Sequence, residues 1–181
     1  LEPEQDQVLV AMAKHLGSIL SHMNGPQYAT LLIPIFEELL GKEESYIRNY
    51  AAKSCSMVLG LLDTDHLAQV DQYRDMLKRL VPEEETSETF YAKASCVLTI
   101  PALLKAYSQF DDDAGGKSES GEDNVVVSRK EIRNLFYRMQ KDENIIVRLS
   151  STKVFLKVMD AVEPEFVTSE ILDALKTFLG D

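Results

Sequence analysis

Long apolar runs are missing from this sequence. The longest, Leu31-Leu32-Ile33-Pro34-Ile35-Phe36, falls far short of the ~20 apolar residues that a membrane-spanning helix needs. The acidic start Leu1-Glu2-Pro3-Glu4 has no signal-peptide pattern, and Leu1 in place of methionine is expected of a piece of something longer. Cysteine is scarce: Cys55 and Cys96 stand alone, with no Cys-x-x-Cys spacing and no Cys/His cluster, so no zinc site is indicated. With no Asn-x-Ser/Thr sequon either, a reducing compartment fits, cytoplasmic and also nuclear. Basic charge is in deficit, at 19 Lys and Arg against 30 Asp and Glu. A net charge of −11 repels both phosphate backbones and anionic lipid, so neither nucleic acid nor membrane is an expected partner. Strict two-residue alternation is absent too. Val125-Val126-Val127 is the only β-rich triplet, too short to argue for a strand.

Catalytic signals are equally sparse. His15, His22 and His66 are isolated from one another and from any serine or cysteine in a recognisable motif, which leaves them surface or packing roles. A carboxylate-metal hydrolase on a helical fold would need converging ligands such as Glu-x-x-His, and that motif does not occur. No catalytic residue, metal or cofactor is therefore assigned.

Helical periodicity is present nearly everywhere. Tyr28, Leu31, Leu32, Ile35, Phe36, Leu39 and Leu40 follow the three-four spacing of a buried helix face, with Gly41 placed to end the helix as a C′ glycine. After the polar turn Glu43-Glu44-Ser45, a second helix carries Ile47, Ala51, Cys55, Val58, Leu59 and Leu62 on one face. The pair recurs: Leu67, Val70, Tyr73, Leu77 and Leu80, then Ala92, Cys96, Val97, Ile100, Leu103, Leu104 and Tyr107. It recurs again as Ile132, Leu135, Phe136 and Met139, then Val147, Val154, Phe155, Val158 and Val162. Cys55 and Cys96 fall on these apolar faces as small packing residues.

The recurrence is periodic. Tyr50-Ala51-Ala52-Lys53-Ser54-Cys55 matches Tyr91-Ala92-Lys93-Ala94-Ser95-Cys96 at a spacing of 41 residues. Tyr46-Ile47-Arg48 matches Ile146-Val147-Arg148 at a spacing of 100, which is two such periods plus an insertion of 18. Two helices in ~40–47 residues is the unit of HEAT and armadillo arrays. The chain divides into a partial repeat over 4–24, repeats over 26–63 and 64–109, an insertion over 110–127, a repeat over 128–162 and a partial repeat over 163–181. The insertion sets six acidic residues between Asp111 and Asn124 against the single base Lys117, among glycines and serines, and reads as a disordered surface loop. Within it, Ser120 with Asp123 three positions on matches the pattern of an acid-directed kinase.

Pro34-Ile35-Phe36-Glu37-Glu38-Leu39-Leu40 followed by Ile47-Arg48-Asn49-Tyr50-Ala51-Ala52 resembles the HEAT signature. Pro34 should kink the first helix, and Pro101 the second helix of the next unit. Val8 to Gly17, Gly25-Pro26-Gln27-Tyr28, Leu31 to Pro34, Arg48 to Ser54, Lys130 to Phe136 and Ile146 to Ser150 resemble the scaffold (A) subunit family of protein phosphatase 2A. The resemblance implies an all-α, right-handed superhelical HEAT solenoid that is not an enzyme. It implies a scaffold holding regulatory subunits of the phosphatase, and its catalytic subunit through repeats outside these residues, with the fragment itself a monomer.

Contacts in that family come from the turns inside each repeat. Carried over, they assign partner binding to Glu43, Glu44, Ser45 and Tyr46, to Glu84, Glu85, Thr86, Ser87 and Glu88, and to Lys141, Asp142, Glu143 and Asn144. Arg48 and Arg148, at equivalent positions, either meet a partner or pair with a carboxylate from a neighbouring turn; the reading adopted is an inter-repeat ladder. Another HEAT scaffold, such as a transport receptor with an acidic face for a basic cargo peptide, is the alternative.

Overall fold

The computed structural model describes residues 3–23, 25–82, 90–112 and 121–162, and every regular element among them is helical. In chain order the α-helices are α1 (Pro3–His15), α2 (Ile33–Leu40), α3 (Ser45–Leu59), α4 (Leu67–Leu80), α5 (Phe90–Cys96), α6 (Ile100–Asp112), α7 (Gly121–Gln140) and α8 (Ile145–Met159). Short 3₁₀ segments, Leu16–His22, Pro26–Leu32 and Thr64–His66, extend or precede them. The helices form two rows. The second helices of successive repeats pack side by side in the order α1, α3, α5 with α6, then α8. The first helices do the same in the order α2, α4, α7, and each α2–α3, α4–α6 and α7–α8 pair closes a repeat. This is an all-α solenoid with one continuous core, in which each module is covered by the next.

The helix faces read from spacing are mostly those that are buried. Ile47, Ala51, Cys55, Val58, Leu59 and Leu62 of the second helix are all buried, as are Val70, Tyr73 and Leu77 of α4 and Ile132, Leu135, Phe136 and Met139 of α7. The first helix differs. Residues 26–32 wind as 3₁₀ before the α-helix begins at Ile33. At three residues per turn, positions i and i+3 lie in line. Ala29 and Leu32 therefore point inward, while Tyr28 and Leu31, expected in the core, are exposed.

Proline sets where α-geometry starts. Pro34 has no N–H to give to Thr30 O, and the Ile33 N–H takes that carbonyl at the shorter 3₁₀ spacing. Pro101 acts similarly but more strongly. The second helix of that repeat stops at Cys96, turns with Leu98 N–H on Ser95 O (3.1 Å) and Thr99 N–H on Cys96 O (2.9 Å), and resumes at Ile100.

The insertion is shorter than its composition suggests. Phe110 to Asp112 complete α6, and Gly121 to Val127 form the first turns of α7. The physical reason is apolar anchorage: Phe110 packs on the core and Val125 is buried. Residues 113–120, with Ser120, and the closing partial repeat over 163–181 lie outside the described residues.

Gly41 departs from the role its spacing implied, and Gly17 has one that spacing did not show. Gly41 sits at φ −88°, ψ −4°, an ordinary right-handed conformation rather than that of a C′ glycine. A Cβ there would meet Glu37 O at 3.5 Å, an ordinary contact. At Gly17 a Cβ would lie 2.9 Å from Ser54 Cα and 3.0 Å from Ser54 O, both backbone atoms of α3. Nearby, Ser54 Oγ donates to Ala13 O at 2.6 Å, tying the same two second helices together. We expect Gly17→Ala to lower stability by about 1–3 kcal/mol through overpacking, and Gly41→Ala to be neutral or up to ~1 kcal/mol stabilising through the unfolded chain. Urea midpoints of the two variants check this, and equal midpoints would refute it.

Candidate partner-binding ridge

The first and the last described repeats each join their two helices by a tight turn. In the first repeat, Lys42 and Glu43 turn the chain and Glu44 precedes α3. In the last described repeat, Asp142 and Glu143 do so and Asn144 caps α8, its Oδ1 accepting from Ile146 N–H at 2.9 Å. The two turns share one internal brace. Arg48 Nη1 donates to Lys42 O and to Glu43 O, each at 2.6 Å. Arg148 Nη1 donates to Asp142 O at 2.9 Å and to Glu143 O at 3.0 Å. The carbonyls face inward and are satisfied there, so the side chains of Glu43 and Glu143 are left exposed at matching positions.

The ladder assigned to the two arginines would draw its carboxylates from the turn over 83–89 or from beyond 162, which lie outside the described residues. Neither guanidinium has a hydrogen bond to a neighbouring turn's carboxylate among the described residues; each holds its own turn. Arg48 does reach the next repeat, but through an aromatic face, its guanidinium carbon 4.8 Å from the Tyr91 ring centroid. Its burial lowers the guanidinium pKa from the ordinary value.

Inter-repeat polar links run through other residues. Along the first helices, Arg79 Nε donates to Glu37 Oε1 at 2.8 Å, Lys78 Nζ lies 3.1 Å from Glu131 Oε2, and Tyr73 OH donates to Ala29 O at 2.8 Å. Along the second helices, Lys93 of α5 pairs with Asp142 at 3.0 Å, and only 7% of each side chain is exposed. Asp142 also accepts from Asn144 N–H at 2.9 Å. It is a structural residue of the turn, not an open docking contact. Sequence spacing missed this pair because Lys93 sits where the preceding repeat has Ala52.

The remaining assigned residues divide clearly. Tyr46 is exposed and its hydroxyl donates to Asp6 Oδ2 at 3.3 Å; partial burial first, and Asp6 next, push its phenol above the usual range. Glu44 is half-buried, Ser45 and Lys141 are exposed, and Lys141 Nζ lies 6.0 Å from the Tyr137 ring centroid. Glu84, Glu85, Thr86, Ser87 and Glu88 lie outside the described residues. Of the histidines, His66 pairs with Asp63 at 2.5 Å, and Cys55 and Cys96 are buried free thiols. Among the described residues no group of three or more His, Cys, Asp or Glu is placed to hold a metal, and no helix is long and apolar enough to cross a membrane.

The two-helix modules have relatives among known proteins. No family model matches the chain. The A-type regulatory subunit of protein phosphatase PP2A from Schizosaccharomyces pombe is 33% identical over 178 residues, covering 98% of this chain and 26% of that protein. The chain is homologous to the A-type regulatory subunits of PP2A. The corresponding Saccharomyces cerevisiae protein is 31% identical over 94 residues, 52% of this chain and 14% of that protein. The alpha isoform of the 65 kDa A-type regulatory subunit from Arabidopsis thaliana is 26% identical over 169 residues, 93% of this chain and 25% of that protein. The chain thus spans about a quarter of the length of the Schizosaccharomyces pombe and Arabidopsis thaliana subunits. Near-complete coverage of this chain by one such alignment means that the homology runs through all three described repeats and is not confined to one signature.

Proposed function

We propose that this chain is a scaffold segment that docks a regulatory subunit of protein phosphatase 2A on its ridge of intra-repeat turns, without itself catalysing a reaction. The catalytic subunit would be held by repeats outside these residues. The observation that carries the reading is the repeated arginine brace. It holds the turns of separate repeats in one shape and presents Glu43 and Glu143 outward at matching positions. Rigid presentation reduces the ordering cost of association, and two turns of one shape on the same stacked array suit one extended protein surface. The homology to proteins named as A-type regulatory subunits of PP2A supports the choice of partner.

The test is binding of the purified chain to a purified PP2A regulatory subunit by calorimetry. Glu43→Lys with Glu143→Lys is expected to weaken binding roughly tenfold or more, with helicity and melting temperature unchanged. Asp142 is the wrong residue to reverse, since it is buried against Lys93. A folded chain that binds no regulatory subunit would overturn the proposal. The alternative of an acidic face for a basic cargo finds no support in α3 and α8, which contain no acidic residue.

A further inference from the structure

Three of the second helices are free of acidic residues. Overall the chain carries −11, yet α3, α5 and α8 have no Asp or Glu and hold Arg48, Lys53, Lys93, Arg148, Lys153 and Lys157. The first helices are mixed instead: α2, α4 and α7 together carry seven Asp and Glu and seven Lys and Arg. Lys53, Lys105, Lys153 and Lys157 are exposed, and none of them forms an ion pair among the described residues.

A cleft of about 630 Å³ opens here, walled by α3, α6, α7 and α8. Its origin is the Pro101 break, which interrupts the helix between Cys96 and Ile100. Leu98, Pro101 and Ala102 line it with apolar surface, Lys105, Lys157 and the buried Arg129 supply cations, and Asp160 is the acidic residue of the lining. Helix spacing extends the basic rim: Lys53 lies three positions before the lining residue Ser56, and Lys153 four before Lys157, so each shares a face with the cleft. The volume is in the range that takes a few side chains.

We infer that this cleft is a second docking surface, separate from the ridge, for an acidic protein segment carrying interspersed apolar side chains. The partner's apolar residues would cover Leu98, Pro101 and Ala102 while its carboxylates meet Lys105 and Lys157, with Lys53 and Lys153 steering the approach. A protein segment is favoured over nucleic acid on two grounds. The apolar lining gains nothing from a phosphate backbone, and the cations here are a few side chains around one cleft rather than an extended basic track.

The probe is a fluorescent synthetic peptide of repeated Glu-Leu-Glu units, titrated into the whole chain. Saturable binding is expected, weakened roughly tenfold by Lys105→Glu with Lys157→Glu, weakened by salt and abolished by Ala102→Arg, all with unchanged melting temperature. A benzophenone cross-linker at position 102 should capture the peptide. Glu43→Lys should leave this binding intact, so failure here and failure of the ridge reading are distinguishable. No saturable binding, or binding indifferent to the lysine reversals, overturns the proposal. So does equal affinity for a single-stranded RNA oligonucleotide. A cross-link only to residues 163–181, or a dimer dispersed by Ala102→Arg, would assign the cleft to the chain itself or to a second copy and overturn it as well.

Discussion

Lys93→Met is expected to cost the fold about 3–5 kcal/mol, because it leaves the Asp142 carboxylate buried without its cation. The side chains of the pair are only 7% exposed and 3.0 Å apart, and they belong to different repeats. Water cannot replace the lost ammonium at that depth, so the penalty is desolvation rather than the small Coulomb loss of a surface pair. The signature is therefore in the double variant. Lys93→Met with Asp142→Asn removes both charges, and asparagine retains an oxygen for the Asn144 N–H that Asp142 now satisfies. It should recover most of the loss. Urea unfolding of the two singles and the double measures the coupling. If Lys93→Met alone costs under ~1 kcal/mol, the pair is effectively solvated and its assigned role between repeats is wrong.

Phe36→Ala should be comparably damaging, at about 3–5 kcal/mol. Phe36 is fully buried, and its ring meets that of Tyr73 on the next first helix at a centroid distance of 6.1 Å and an interplanar angle of 58°. Truncation leaves a cavity between α2 and α4 that neither helix can close alone, because Tyr73 is anchored to Ala29 O. Tyr73→Phe keeps the ring and loses only the bond to that carbonyl, so it should cost about 1–3 kcal/mol. Thermal unfolding of both variants gives the ordering; a larger loss for Tyr73→Phe than for Phe36→Ala would contradict it.

These two sites also show what the sequence reveals and what it conceals. Phe36 and Tyr73 are legible because a buried helix face writes itself as three-four spacing, and the 41-residue echo between Cys55 and Cys96 exposes the module. The exposure of Tyr28 and Leu31 is not legible that way, since a 3₁₀ start replaces the α-helical period with one of three residues. The roles of Arg48 and Arg148 are half legible. Their equivalence is plain from spacing, but their acceptors are backbone carbonyls, which leave no mark in the side-chain pattern. Lys93 and Asp142 lie 49 positions apart in helix and turn, and nothing local announces that they meet. Composition misleads at 110–127, where acidic residues and glycines suggest a loop although Phe110 and Val125 anchor helix at both margins.

The arginine brace has an implication for how such a ridge could diversify. Since Arg48 and Arg148 satisfy carbonyls of their own turns, the backbone path there is decoupled from the side chains at 43 and 143. Those positions are then free to change charge or size while the path stays put. A lineage could retune which protein it grips by point substitution, one module at a time, with no accompanying change in helix length or stacking.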